Sequence, residues 1–143
     1  MTISAILEHH GDHDIVSCDC SDTVREVVAL LAKHRIGAVP VLRDGKVEGI
    51  FSERDLVYRI TDQGDAILDS EVKEAMTTPA VTVSSDTGVL AALSLMTRRR
   101  IRHLPVVDNE RLVGFVSIGD LVKFRIDKIE AEAAAMRDYI QHG

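Results

Sequence analysis

Two hydroxyl–carboxylate pairs are the residues most suited to chemistry. In GIFSERDL, Gly49 to Leu56, Ser52 precedes Asp55 by three residues; in GFVSIGDL, Gly114 to Leu121, Ser117 precedes Asp120 by the same step. Each pair follows an apolar strand-like run and opens a helix-like one. A hydroxyl and a carboxylate at that spacing can simply cap a helix, the Ser accepting a backbone N–H while the acid reaches back. They can also meet a ligand. A helix N-terminus carries free N–H groups and a partial positive charge that suit an anion. There the hydroxyl adds a donor and the carboxylate an acceptor.

The elements that carry these pairs come in two copies. A shift of 65 residues aligns Val16–Val57 with Val81–Val122 without a gap, and twelve positions are identical. They include Pro40/Pro105, Gly49/Gly114, Ser52/Ser117 and Asp55/Asp120, which is too ordered a set for chance and marks an internal repeat. Before the aligned block, ISAIL near the N-terminus resembles VKEAM at Val72–Met76. Each copy reads as a short strand (Ile15–Cys18, Ala80–Val83), then a helix capped by Ser21 or Asp22 and by Ser85 or Asp86. The helix stripes Val24, Val27, Val28, Leu31 and Val89, Ala92, Leu93, Met96 follow helical spacing. A strand, a turn at Arg43–Lys46 or Asp108–Arg111, a second strand and the Ser-x-x-Asp helix complete the unit; Asp44-Gly45 is a hairpin signal.

The expected fold is therefore α+β, sandwich-like: two pseudo-symmetric β-α-β-β-α repeats packed through their sheets, plus a C-terminal helix. One unit alone buries too little, so the two share a body. The expected boundaries are residues 1–61, a polar joint at 62–71, residues 72–125, and a terminal helix at 126–143. On that helix Ile126, Ile129, Ala133, Met136 and Ile140 form a narrow seam, which either covers the protein's own core or meets a second copy.

Composition narrows the function. The chain has 143 residues, 45% hydrophobic and 28% charged, which describes an ordinary globular protein. Its net charge of −6 argues against bulk nucleic-acid binding, and 3% aromatic residues with no Trp argue against base-stacking platforms. No apolar run approaches a membrane span, and MTISAILEHHGD carries no secretory pattern, so a cytoplasmic protein is expected. Cys18 and Cys20 read as reduced thiols beside a strand. His9, His10, Asp12, His13 and Asp14 are rich in ligand types, but without Cys or helical His spacing they read as a solvated loop, with no metal site expected.

The residues HRIGAVPVLRDGKVEGIFSERDLV and RRIRHLPVVDNERLVGFVSIGDLV resemble a tandem pair of CBS domains, the arrangement called a Bateman module. The resemblance spans nearly the whole chain. It implies regulation through adenosine-containing ligands (AMP, ADP, ATP, NAD(H) or S-adenosylmethionine) held in two clefts between the repeats. It implies that Asp120 and Asp55 hold ribose hydroxyls and that Ser117 and Ser52 lie near a phosphate. The base would be gripped from the opposite repeat. One cleft would comprise Val16, Ile36, Gly37, Ser117 and Asp120; the other Val81, Ile101, Arg102, His103, Ser52, Arg54 and Asp55. It also implies a homodimer of pairs and a regulated partner protein.

The residues are compatible with those roles. A carboxylate one turn into a helix can accept from two vicinal hydroxyls, as the acidic residue does for ribose in dinucleotide folds, and Gly37 permits close backbone approach. Arg98, Arg99, Arg100 and Arg102 make the second copy more basic. With Arg54 standing where Gly119 stands in the other copy, the Asp55 cleft is expected to take the more highly charged ligand. His103 would add positive charge there below its ordinary pKa of about 6.5. Three function classes follow: a nucleotide-sensing regulatory module, a structural or partner-binding module with weak sites, and an enzyme. The chain has no recognisable catalytic frame or Gly-rich phosphate loop, so no catalytic residue is expected.

Overall fold

The computed structural model describes residues 1–10 and 14–142. In chain order the elements are α1 (Ile3–His10), β1 (Cys18–Asp19), α2 (Val24–His34), β2 (Ala38–Arg43), β3 (Lys46–Ser52) and α3 (Glu53–Gln63). Two 3-10 turns follow (Gly64–Asp69 and Val72–Glu74), then α4 (Val89–Arg99), β4 (His103–Asp108), β5 (Arg111–Ser117) and α5 (Ile118–His142). The architecture is mixed α+β with two small sheets, β1-β2-β3 and β4-β5, that touch through β3 and β5.

The hairpins have the same register. Val39 faces Phe51 and Leu104 faces Val116, and both ladders slip at the same place, after Val41 and after Val106. Each closes on a two-residue loop whose residues both have positive φ: Asp44 and Gly45, Asn109 and Glu110. That is the turn whose twist matches the strands. Glu110 at φ 64 occupies a region where a side chain is strained.

Three local expectations need correction. The first strand of the second repeat is a single parallel bridge, Val83 to Val106. In the first repeat the ladder continues, because the Cys20 N–H donates to Leu42 O at 2.9 Å. The matching Ser85 N–H donates instead to the Asp108 carboxylate at 3.0 Å, joined by the Ser85 hydroxyl at 2.6 Å, and the strand ends. The helix caps are Thr23 and Gly88, not Ser21, Asp22, Ser85 or Asp86. Thr23 forms a full capping box with Glu26, while Ser21 and Asp22 turn back onto Asp19. Finally, the terminal helix is not separate: α5 runs unbroken for 25 residues, with no Gly or Pro near Ile126 to stop it.

The leading segments are exchanged between the repeats. α1 precedes the first repeat in sequence, yet Ile3 and Ile6 are buried with Val89, Met96, Leu104, Val116 and Leu121 of the second. Val72, Ala75 and Met76 precede the second repeat and are buried with Val24, Leu31, Val41 and Phe51 of the first. The backbone repeats the exchange, since the Val89 N–H donates to Met1 O at 3.0 Å and the Val24 N–H to Ser70 O at 2.9 Å. Each core is thus completed by the segment leading into the other repeat, and Ile67 in the joint is itself a core residue. Among the described residues, no helix is long and apolar enough to cross a membrane.

Candidate functional site

The two Ser-x-x-Asp turns are capping boxes. At the start of α3, the Asp55 N–H donates to Ser52 Oγ (3.3 Å), and Asp55 Oδ2 accepts from the Ser52 N–H (2.9 Å) and hydroxyl (3.0 Å). At the start of α5, the Asp120 N–H donates to Ser117 Oγ (3.1 Å) and Asp120 Oδ2 accepts from the Ser117 N–H (2.8 Å). A further first-turn donor is spent in each helix: the Glu53 N–H goes to Gly37 O at 3.0 Å and the Ile118 N–H to Arg102 O at 2.8 Å. The helix ends therefore keep less unpaired N–H for an anion than the sequence suggests. In return, the segment around Gly37 or Arg102 is fixed against the helix start.

Beside each turn lies a cleft. One, of about 480 Å³, brings Val16, Ile36 and Gly37 of the first repeat to Ser117 and Asp120 of the second. The other, of about 610 Å³, brings Val81, Ile101, Arg102 and His103 of the second to Ser52, Arg54 and Asp55 of the first. Each expected residue set thus lines one cleft, built from both repeats.

The electrostatics differ from the expectation. His103 lines both clefts, and its ring stacks on Phe115 of the Asp120 cleft at 5.5 Å with planes 11° apart. Burial holds His103 below the ordinary histidine range, against the pull of Asp120 and with a smaller push from Arg102. It therefore gains charge only at a pH lower than its ordinary value. Arg54 reaches across the Asp55 cleft to donate to Arg100 O at 3.2 Å, and Glu53 adds an opposing charge there. Arg35 and His10 line the Asp120 cleft, so the basic contrast between the clefts is smaller than the sequence suggests.

Two contacts lie outside the repeat alignment, where no sequence signal pointed to them. Thr77 donates its hydroxyl to Asp55 Oδ1 at 2.9 Å. His10 Nε2, from the exchanged helix α1, lies 3.9 Å from Asp120 Oδ1. Of the ligand-rich N-terminal stretch, Asp12 and His13 lie outside the described residues; among the described residues no group of three His, Cys, Asp or Glu could hold a metal ion.

The two cysteines are free and buried. Burial, reinforced by Asp22 and Asp19, pushes the Cys18 thiol up to about 12. The thiolate is the reactive form. Cys18 in the folded protein is accordingly expected to escape iodoacetamide at pH 8 and to react once the chain is denatured, as peptide mass mapping would show; rapid native labelling would contradict its burial.

The CBS domain family model matches residues 8–62 and 72–127. The chain is 35% identical over 150 residues to the mitochondrial CBS domain-containing protein CBSX3 of Arabidopsis thaliana, an alignment covering 99% of this chain and 73% of that one. It is 40% identical, with a TM-score of 0.82, to the CBS-domain containing protein ATU1752 from Agrobacterium tumefaciens, covering 87% and 99% of the two chains. The CBS domain pair of protein MJ0100, solved in complex with methylthioadenosine and S-adenosyl-L-methionine, is alike in fold: TM-score 0.77 at 24% identity, covering 90% and 98%.

Proposed function

This chain belongs to the CBS-domain family as a tandem pair of such domains, and from that premise we propose that it is a regulatory module rather than an enzyme. It binds an adenosine-containing ligand (AMP, ADP, ATP, NAD(H) or S-adenosylmethionine) in the two clefts and passes the occupancy to a partner protein. One observation carries the reading: each cleft sets a Ser–Asp helix start from one repeat against an apolar wall from the segments that lead into the strands of the other, Ser117 and Asp120 against Val16, Ile36 and Gly37, and Ser52 and Asp55 against Val81 and Ile101. An apolar wall suits a base, a carboxylate suits a diol, and a helix start with nearby arginines suits phosphate. That the fold-mate MJ0100 holds adenosine compounds supports the ligand class. Two free thiols suit a reducing compartment such as the cytoplasm.

Thermal denaturation tests the proposal. A ligand at a hundred times its Kd stabilises by about 2.7 kcal/mol, which for a chain this size raises Tm by on the order of 5–10 °C. At least one of AMP, ATP, NADH and S-adenosylmethionine is expected to do so at millimolar concentration, with inorganic phosphate alone giving much less. No shift with any of them, or an equal shift with phosphate, would remove the adenosine assignment. A second reading, a dimerisation or partner-binding module with weak nucleotide sites, is favoured by a different observation: the exposed apolar seam of α5.

A further inference from the structure

α5 uses one side for the body and leaves another bare. Leu121 is buried and Phe124 packs on the second core. Val122 (41%), Ile126 (49%), Ile129 (48%), Met136 (59%) and Ile140 (71%) are exposed, so the seam does not cover the protein's own core. With Ala133 these residues are spaced four, three, four, three and four apart. That is the heptad pattern, with Ile126, Ala133 and Ile140 at a and Val122, Ile129 and Met136 at d. A single helix gains nothing from such a repeat; it fits the a/d layers of a second helix.

The flanking charges say which helix. Arg125 and Glu132 fall at g, Glu130 and Arg137 at e. In a parallel, in-register pair, each g position faces the e position five residues further along the other chain. Arg125 then meets Glu130 of the second copy, and Glu132 meets Arg137 of the second copy. Both matches are of opposite charge, and two-fold symmetry makes four of them. We propose that two copies of this chain join through a parallel, in-register coiled coil of α5 between Val122 and Ile140. The two bodies then stand side by side at one end of the stalk. Six a/d layers make a short coil, with Ala133 its weakest layer, so the dimer holds at tens of micromolar rather than at nanomolar concentration, on the order of an interface this size.

Sedimentation of the full chain tests the proposal, and the expected mass is twice 15.7 kDa. Glu132→Arg alone and Arg137→Glu alone each set like charges against each other at two symmetric places, and each should weaken the dimer roughly tenfold. Mixing the two variants one to one, or combining both changes in one chain, restores opposite charges in the parallel register and should restore the dimer. Met136→Cys should give a disulfide-linked dimer on oxidation, because only the parallel, in-register arrangement sets residue 136 against itself; Cys18 and Cys20 are buried and far along the chain. Glu132, Met136 and Arg137 are exposed on α5, so circular dichroism should stay unchanged in every variant. A monomer at tens of micromolar overturns the proposal. So does a dimer indifferent to both charge variants, or one that forms no Met136→Cys crosslink.

Discussion

Replacing Gly49 with alanine should cost about 2–4 kcal/mol of stability, while the same change at Gly114 should cost about 1 kcal/mol or less. The two glycines occupy the same place in the repeat, facing Val41 on β2 and Val106 on β4. What lies over them differs because the leading segments are exchanged. A Cβ on Gly49 would stand 2.5 Å from the Thr77 carbonyl oxygen and 2.8 Å from Met76 Sδ. That carbonyl cannot yield cheaply, since it accepts from the Ile50 N–H at 3.0 Å while the Thr77 N–H donates to Ile50 O at 2.8 Å. Moving it breaks the bridge that holds Val72–Met76 on the first core. A Cβ on Gly114 would also stand 2.5 Å from a neighbour, but the neighbour is Leu7 Cδ2, the tip of a half-buried side chain that can change rotamer. Urea denaturation of the two variants separates the cases. Equal losses, or a larger one at Gly114, would mean that the exchanged segments do not sit as described.

That contrast marks where sequence reasoning stops. The 65-residue repeat is enough to pair the hairpins and to place Ser52, Asp55, Ser117 and Asp120 at helix starts, because register and alternation are local properties; which residues stand opposite them is given only by the family resemblance. The likeness of ISAIL to VKEAM says that two segments are equivalent but is silent on which core each enters. Thr77 and His10, which touch the two carboxylates, ride on those exchanged segments and so fell outside the aligned block. The helix caps Thr23 and Gly88 lie one to three residues beyond the expected ones, because Ser21, Asp22 and Ser85 are consumed by turns onto Asp19 and Asp108. The resemblance puts His103 in one cleft, yet it lines both and its ring turns onto Phe115, a residue whose counterpart is the non-aromatic Ile50.

Those contacts also set the last expectation: Asp120→Asn should weaken adenosine or AMP binding in its cleft by about 10- to 100-fold, and Asp55→Asn should cost its cleft only a few-fold. A carboxylate offers roughly four acceptor positions. Asp55 has spent three, on the Ser52 N–H, the Ser52 hydroxyl and the Thr77 hydroxyl. It can take one further hydroxyl unless Ser52 turns its proton away, as it would to meet a phosphate. Among the described residues Asp120 has spent one, on the Ser117 N–H, and its Oδ1 lies 3.9 Å from His10 Nε2. It can therefore accept both hydroxyls of a vicinal diol in charge-assisted bonds, each worth about 1.5–3 kcal/mol. Asparagine keeps an oxygen for the Ser N–H, so the cap and the fold persist and the loss falls on the ligand. On this count the Asp120 cleft prefers the bare nucleoside, and the Asp55 cleft depends more on phosphate, through Ser52 and Arg102. Its affinity for ATP should therefore fall more steeply with salt. Calorimetry on each single variant, with adenosine, AMP and ATP at two ionic strengths, measures all of this. Equal losses in the two clefts would refute the acceptor count, and unchanged binding in both would show that neither carboxylate holds the ribose.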